Sequence, residues 1–272
     1  MNERIANGLI ALIAAASISA CGQKEAEEPV AAEETTPEPT LTMYEAAVAS
    51  DKRPASDRER DANRKPAEVL EYIGIEPGMT VLDLFTGGGY YAEIVAHIVG
   101  DQGKVIAQTN EAYRSFGGMG EQLDARIGEN GHSNIEVLIA ENNELSLEPD
   151  SIDAAMLVMS FHDLWLVDEE NGWPEIDVGP YLAEVRSGLR PGGTFTIIDH
   201  VGAAGISAEE SGNTLHRIDP ALVVEAMQEA GFTLEGESDL LRNPDDDHTQ
   251  IVFADGLRGK TDRFLMVFAS PD

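Results

Sequence analysis

Cysteine is nearly absent from the 272 residues: there is one, Cys21. A single thiol excludes a disulfide framework within the chain and a cysteine-rich zinc site. Basic residues are scarce too, 18 Lys and Arg against 50 Asp and Glu, for a net charge of −32. So acidic a surface repels phosphate backbones and argues against nucleic acid as a partner. It also lacks a general attraction to anionic membranes. The apolar run at residues 5–20, IANGLIALIAAASISA, is too short and too rich in alanine for a membrane span. After residue 43 there is no internal repeat and no second linker. What is present, 42% hydrophobic and 25% charged residues, is ordinary for a folded chain and excludes wholesale disorder.

The apolar run suits the central region of a signal peptide. It ends Ile18-Ser19-Ala20-Cys21, which resembles a bacterial lipoprotein cleavage box. The resemblance implies a signal peptide over 1–20, cleavage before Cys21 and lipidation of that cysteine. Residues 21–42 hold Glu, Pro, Ala and Thr without an apolar face and read as an extended acidic tether. A single domain is expected over 43–272. Membrane contact is expected only through the lipid at Cys21, which places the domain outside the cytoplasm on the cell envelope. Were translation to start at Met43, the protein would be cytoplasmic.

Strands and helices then alternate. Strands are predicted at 80–85, 104–109, 135–140, 152–160, 194–199, 232–241 and 263–270, and helices over 90–99, 111–129, 178–190 and 220–230. Asp219-Pro220 reads as an N-cap followed by proline at the first helical position. The pattern predicts an α/β fold: a Rossmann-like, doubly wound, mostly parallel seven-stranded sheet with helices on both faces. Six of the eighteen basic residues fall within 52–65. That segment reads as a solvated helix with internal ion pairs, or as one that closes over an anionic ligand.

Asp83-Leu84-Phe85-Thr86-Gly87-Gly88-Gly89 leaves the first strand and enters a helix. Glycines at such a turn let the backbone approach a ligand, and the helix start offers free N–H groups. With its flanks, GMTVLDLFTGGGYYAEIVAHIVGDQGKVIAQT, the loop resembles the first motif of class I S-adenosylmethionine (SAM) methyltransferases. LRPGGTFTIID at 189–199 resembles the same family's helix end, turn and fifth strand. The resemblance implies SAM as cofactor, with Asp83, Thr86, Gly87, Gly88 and Gly89 holding its amino-acid end. Glu141 and Asn142 would meet the adenine. Gln108-Thr109 stands where the family carries an acid for the ribose, leaving Asn110 or Glu111 to substitute.

Histidines gather in loops expected at one sheet edge: Phe161-His162-Asp163, Asp199-His200, His216 and His248. With Asn213 to Pro220, Glu237 to Thr249 and Arg258 to Asp262 they resemble a subgroup of predicted bacterial methyltransferases with export signals. His162, Asp163, His200 and His216 are the candidate catalytic residues, a histidine serving as base where the acceptor must lose a proton. Asp163 or Asp199 would orient the base. Asp245 to Asp247 read as a solvated turn. The alternative, a divalent metal held there with His248 or His200, matches no known metal spacing, so no metal is expected. His97 and His132 read as structural. The leading reading is SAM-dependent methyl transfer to a small molecule or envelope component. The alternative is a non-catalytic lipoprotein of the same fold that binds SAM or a nucleoside-like ligand.

Overall fold

In the computed structural model the described residues are 40–128 and 131–271. The expected signal peptide, the lipidation site Cys21 and the tether up to residue 39 lie outside them. Thr42 opens the first helix, α1 (Met43–Val48), with a reciprocal capping box: its hydroxyl accepts from the Glu45 amide, and the Glu45 carboxylate accepts from the Thr42 amide. The basic segment forms α2 (Ala55–Arg64). Lys65, at φ 44°, turns the chain into α3 (Pro66–Tyr72), whose Val69 and Leu70 are fully buried.

The strands are β1 (Thr80–Leu84), β2 (Lys104–Thr109), β3 (Ile135–Ile139), β4 (Ile152–Val158), β5 (Leu189–His200), β6 (Thr233–Ser238) and β7 (Arg263–Ala269). They lie in the order β3-β2-β1-β4-β5-β7-β6. Pairings among β1 to β5 are parallel, and β7 is antiparallel to both β5 and β6. The predicted mostly parallel seven-stranded sheet is therefore the observed one. Central strands read as continuous apolar runs because helices cover both faces. The helix α4 (Tyr90–Val99) packs with α1 and α3 over one face. On the other face lie α7 (Val178–Gly188) and α9 (Pro220–Glu229). Asp219 caps α9 through the Ala221 amide, as its position before Pro220 predicts.

Three local expectations are corrected. The predicted helix over 111–129 is broken. Its parts are α5 (Glu111–Ser115), a 3-10 turn and α6 (Met119–Gly128), because Gly117 and Gly118 take φ 58° and 73°, which end a helix. Strand β5 starts at Leu189, so Pro191-Gly192-Gly193 lie within the strand, beside a register shift against β4. The helix α8 (Ala208–Leu215) falls where no helix was expected. It opens on Ser207, whose hydroxyl accepts from the Glu210 amide.

Candidate active site

Because β1, β4 and β5 run parallel, the segments that leave them emerge at one edge of the sheet. The glycine loop follows β1, the 3-10 turn His162–Trp165 follows β4, and Asp199-His200 ends β5. Two clusters form there.

The first surrounds Asp83. Its carboxylate is buried and accepts from the Thr86 hydroxyl at 2.6 Å. Burial is the dominant influence and raises its pKa to about 7, against the opposing donors Thr86 and the Ala92 amide and the charge of Arg64. The loop then climbs into α4 through Gly87 at φ 58° and Gly89 at φ 79°. The break at Gly117-Gly118 folds α6 against this loop. A Cβ on Gly88 would stand 2.8 Å from the Gln122 side chain, and one on Gly89 2.9 Å from both Leu123 and Arg126. Gly88 and Gly89 therefore serve close packing against α6. A Cβ on Gly87 would meet Met119 at 3.5 Å, an ordinary contact, so there it is the positive φ that favours glycine.

Arg126 ties this packing together. Its guanidinium bonds the Gly88 carbonyl, Glu93 on α4, and Asp57 on α2 at 2.6 Å. All three side chains are buried. The basic segment thus docks on the start of α4, with Arg53, Arg60 and Arg64 placed 4.5–5.3 Å from the Tyr90 ring centre. Its internal pairs include Arg53 with Asp61 at 2.8 Å.

At the end of β2, Gln108 links strand ends. It accepts from the Phe85 amide at 3.0 Å and donates to the Ala140 carbonyl and the Asn142 side chain. Asn110 caps α5 through the Tyr113 amide and reaches Glu141 at 3.4 Å. Asn110, Glu141 and Asn142 are thereby joined around Gln108, while Glu111 sits exposed in the first turn of α5.

The second cluster centres on His162. Asp199, fully buried, accepts from the His162 amide at 2.8 Å and lies 2.9 Å from Nδ1 of the same residue. His162 Nε2 lies 3.2 Å from Asp163 and 3.3 Å from His216 Nδ1. Burial lowers the His162 pKa, but the Asp199 and Asp163 charges and the Asp199 hydrogen bond outweigh it and raise the net value to about 9. His200 points elsewhere, to the Thr261 hydroxyl at 2.7 Å. Burial first, then the positive field of His162 and three arginines, holds it well below its ordinary value. The structure thus joins His162, Asp163 and His216 and leaves His200 beside them on another partner.

Of the expected solvated turn, Asp245 and Asp247 are exposed, but Asp246 is not. Asp246 is buried, pairs with both terminal nitrogens of Arg217 at 3.0 Å, and accepts from the Asp262 amide. His248 contacts Asp262 at 3.0 Å. These residues lock the β7 approach in place. Sequence reasoning missed Tyr113, which bridges the clusters. Its ring packs edge-on against Phe85 and Trp173, and its hydroxyl meets Ser160 at 3.1 Å. The only signal for it was an aromatic residue just after the second strand.

Comparison with known proteins bears on the fold that carries this site. The family model for protein-L-isoaspartate(D-aspartate) O-methyltransferase matches residues 56–140, from α2 to the end of β3. The protein-L-isoaspartate O-methyltransferase of Methanococcus maripaludis is 30% identical over 98 residues, 35% of this chain and 43% of that protein. The ribosomal RNA small subunit methyltransferase H of Solidesulfovibrio magneticus is 29% identical over 132 residues, 46% of this chain and 38% of that protein. The chain spans less than half the length of these curated relatives. A SAM-dependent methyltransferase from Aquifex aeolicus superposes with a TM-score of 0.54 at 22% identity, over 80% of this chain and 98% of that one. The chain has the class I SAM-dependent methyltransferase fold, and the matched stretch of the isoaspartate methyltransferase family model does not include the histidine cluster.

Proposed function

We propose that the protein is a SAM-dependent methyltransferase whose acceptor is a small molecule or an envelope component. One observation carries this reading: the Asp83 glycine loop and the Asp199–His162–His216 cluster share one edge of a parallel sheet, the place where open α/β sheets bind ligands. The residues of the first cluster fit SAM. Asp83 is a buried carboxylate whose donors only partly offset its desolvation, so a cationic ligand group would complete it. Amides at the start of α4 suit the ligand's carboxylate. Asn110, Glu141 and Asn142 supply polar groups for a nucleoside.

SAM supplies an activated methyl group on a sulfonium, so the protein's main task is positioning. The Arg126 contacts hold the loop against α4 and α6. The second cluster presents two imidazoles and a carboxylate to an acceptor. The sequence likeness to isoaspartate methyltransferases supports the donor half of this reading. The family model's match covers residues 56–140 and leaves the acceptor open. The non-catalytic alternative has no support, since the matching family model and the curated relatives are methyltransferases. The likeness of Ile18-Ser19-Ala20-Cys21 to a lipoprotein cleavage box supports an anchored, extracytoplasmic location. Palmitate labelling lost in Cys21→Ser would support the anchor, and an unlabelled soluble wild type would reject it.

The test of the activity is transfer of radiolabelled methyl from SAM to an envelope extract and to its small-molecule fraction. A labelled product that disappears in Gly87→Val is the expected result. Absence of any S-adenosylhomocysteine formation with both fractions would reject the reading.

A further inference from the structure

Three donor atoms of the second cluster converge from two separate parts of the chain. His162 Nε2 lies 3.2 Å from Asp163 Oδ1 and 3.3 Å from His216 Nδ1, and the last two are 3.8 Å apart. A point equidistant from atoms so spaced lies about 2.0 Å from each, which is the length of a zinc–nitrogen or zinc–oxygen bond. We propose that His162, Asp163 and His216 bind one divalent transition-metal ion, with Asp199 fixing the orientation of His162.

The elements are built for it. The 3-10 turn after β4 delivers His162 and Asp163 as neighbours, and the left-handed C-cap of α8, φ 55°, aims His216 back at them. Asp199 holds His162 Nδ1 at 2.9 Å, leaving Nε2 as the ligand atom. A histidine ligand whose second nitrogen is held by a carboxylate is the usual support for such a metal. Two carboxylates, Asp163 and Asp199, face one buried imidazole, and a divalent ion offsets both charges. Two imidazoles with one carboxylate favour zinc, cobalt or ferrous iron over magnesium or calcium. His216 is 28% exposed, so the ion would keep a side open to solvent, as catalytic sites do. Its free positions would take an oxygen- or sulfur-bearing acceptor. That role rests on the methyl-transfer reading; the metal binding itself does not.

A second trio, Glu93, His97 and His132, also brings ligand atoms within 4.8 Å of one another. The Arg126 guanidinium already bonds Glu93, and its charge opposes a cation there. The two trios can be told apart by experiment.

The full chain, stripped of metal, is titrated with Co2+ and followed by its visible ligand-field absorption. One Co2+ per chain, displaced by Zn2+, is expected. His216→Gly, which suits the left-handed φ, should weaken binding at least a hundredfold. Asp199→Asn should weaken it on the order of 10–100-fold. His97→Ala should leave it unchanged. No Co2+ bound at a hundredfold excess would overturn the proposal, as would binding unaffected by His216→Gly or lost in His97→Ala. His162→Ala, checked for folding by circular dichroism, is the second ligand variant and should also lose the ion. SAM titrated into the same samples separates the two readings: SAM bound without metal overturns only the metal site, and metal bound without SAM overturns only the methyl donor.

Discussion

Replacing Asp83 by Asn should make the protein more stable at neutral and alkaline pH. Asp83 is buried at the end of β1, with Thr86 and the Ala92 amide as its donors, and its pKa stands at about 7 against an ordinary 3.8. Below pH 4 the carboxyl is protonated in the folded and the unfolded chain, so it costs nothing. As pH rises from about 4 to 7 the unfolded chain ionises first, and the folded state loses stability. Above 7 the whole cost is present, roughly 4 kcal/mol at about 1.4 kcal/mol per pKa unit. Asn carries no charge to desolvate and can still accept from Thr86. The stability advantage of Asp83→Asn over wild type should grow by roughly 2–3 kcal/mol between pH 5 and pH 8. In a domain of this size that is roughly 4–12 °C in melting temperature. Urea unfolding of both proteins at the two pH values measures it, and the comparison cancels the other carboxylates. A difference that does not change with pH, or a variant less stable than wild type at pH 8, would refute the reasoning.

The remaining predictions concern the same architecture. If a cationic ligand group completes Asp83, binding SAM near pH 6 should release close to one proton, seen as a dependence of calorimetric heat on buffer ionisation enthalpy; no such dependence would count against the pairing. Arg126→Ala removes the buried cation shared by Asp57 and Glu93, which keep Arg60 and His132 as partners, and should cost up to about 3 kcal/mol in chemical unfolding. Arg217→Ala should cost a similar ~3–5 kcal/mol by leaving Asp246 unpaired, and Arg217→Ala with Asp246→Ala should be less damaging than the two single losses added. Asn110→Ala removes the α5 cap, which should cost about 1 kcal/mol in unfolding and also weaken SAM binding, because the same side chain reaches Glu141.

Much of the fold was legible because buried parallel strands leave a plain signature. TVLDL, KVIAQT and IDAAMLV are apolar runs bounded by turn residues, and each is a strand where expected. The break at Gly117-Gly118 was readable in principle, since two adjacent glycines interrupt a helical pattern. The apolar spacing on either side outweighed them. The glycine loop is legible as a turn for ligand approach, but the packing of Gly88 and Gly89 against Gln122, Leu123 and Arg126 is not, because it depends on where α6 lands. The histidines were placed at the right edge by topology. Which of them meet is a tertiary matter: His162 and His216 are 54 residues apart, and His200, next to Asp199, turns to Thr261. Within the acidic run at 245–247, the burial of Asp246 is not legible because its partner, Arg217, lies 29 residues away. Charge composition indicated solubility and nothing finer.

The central claim is that the Asp83 glycine loop is a SAM site. Isothermal titration of the full chain with SAM, beside Asp83→Ala and Gly87→Val, tests it most directly. The account predicts one site in the wild type and none in either variant, with both variants folded by circular dichroism. No binding to wild type at millimolar SAM, or wild-type affinity in both folded variants, would contradict it.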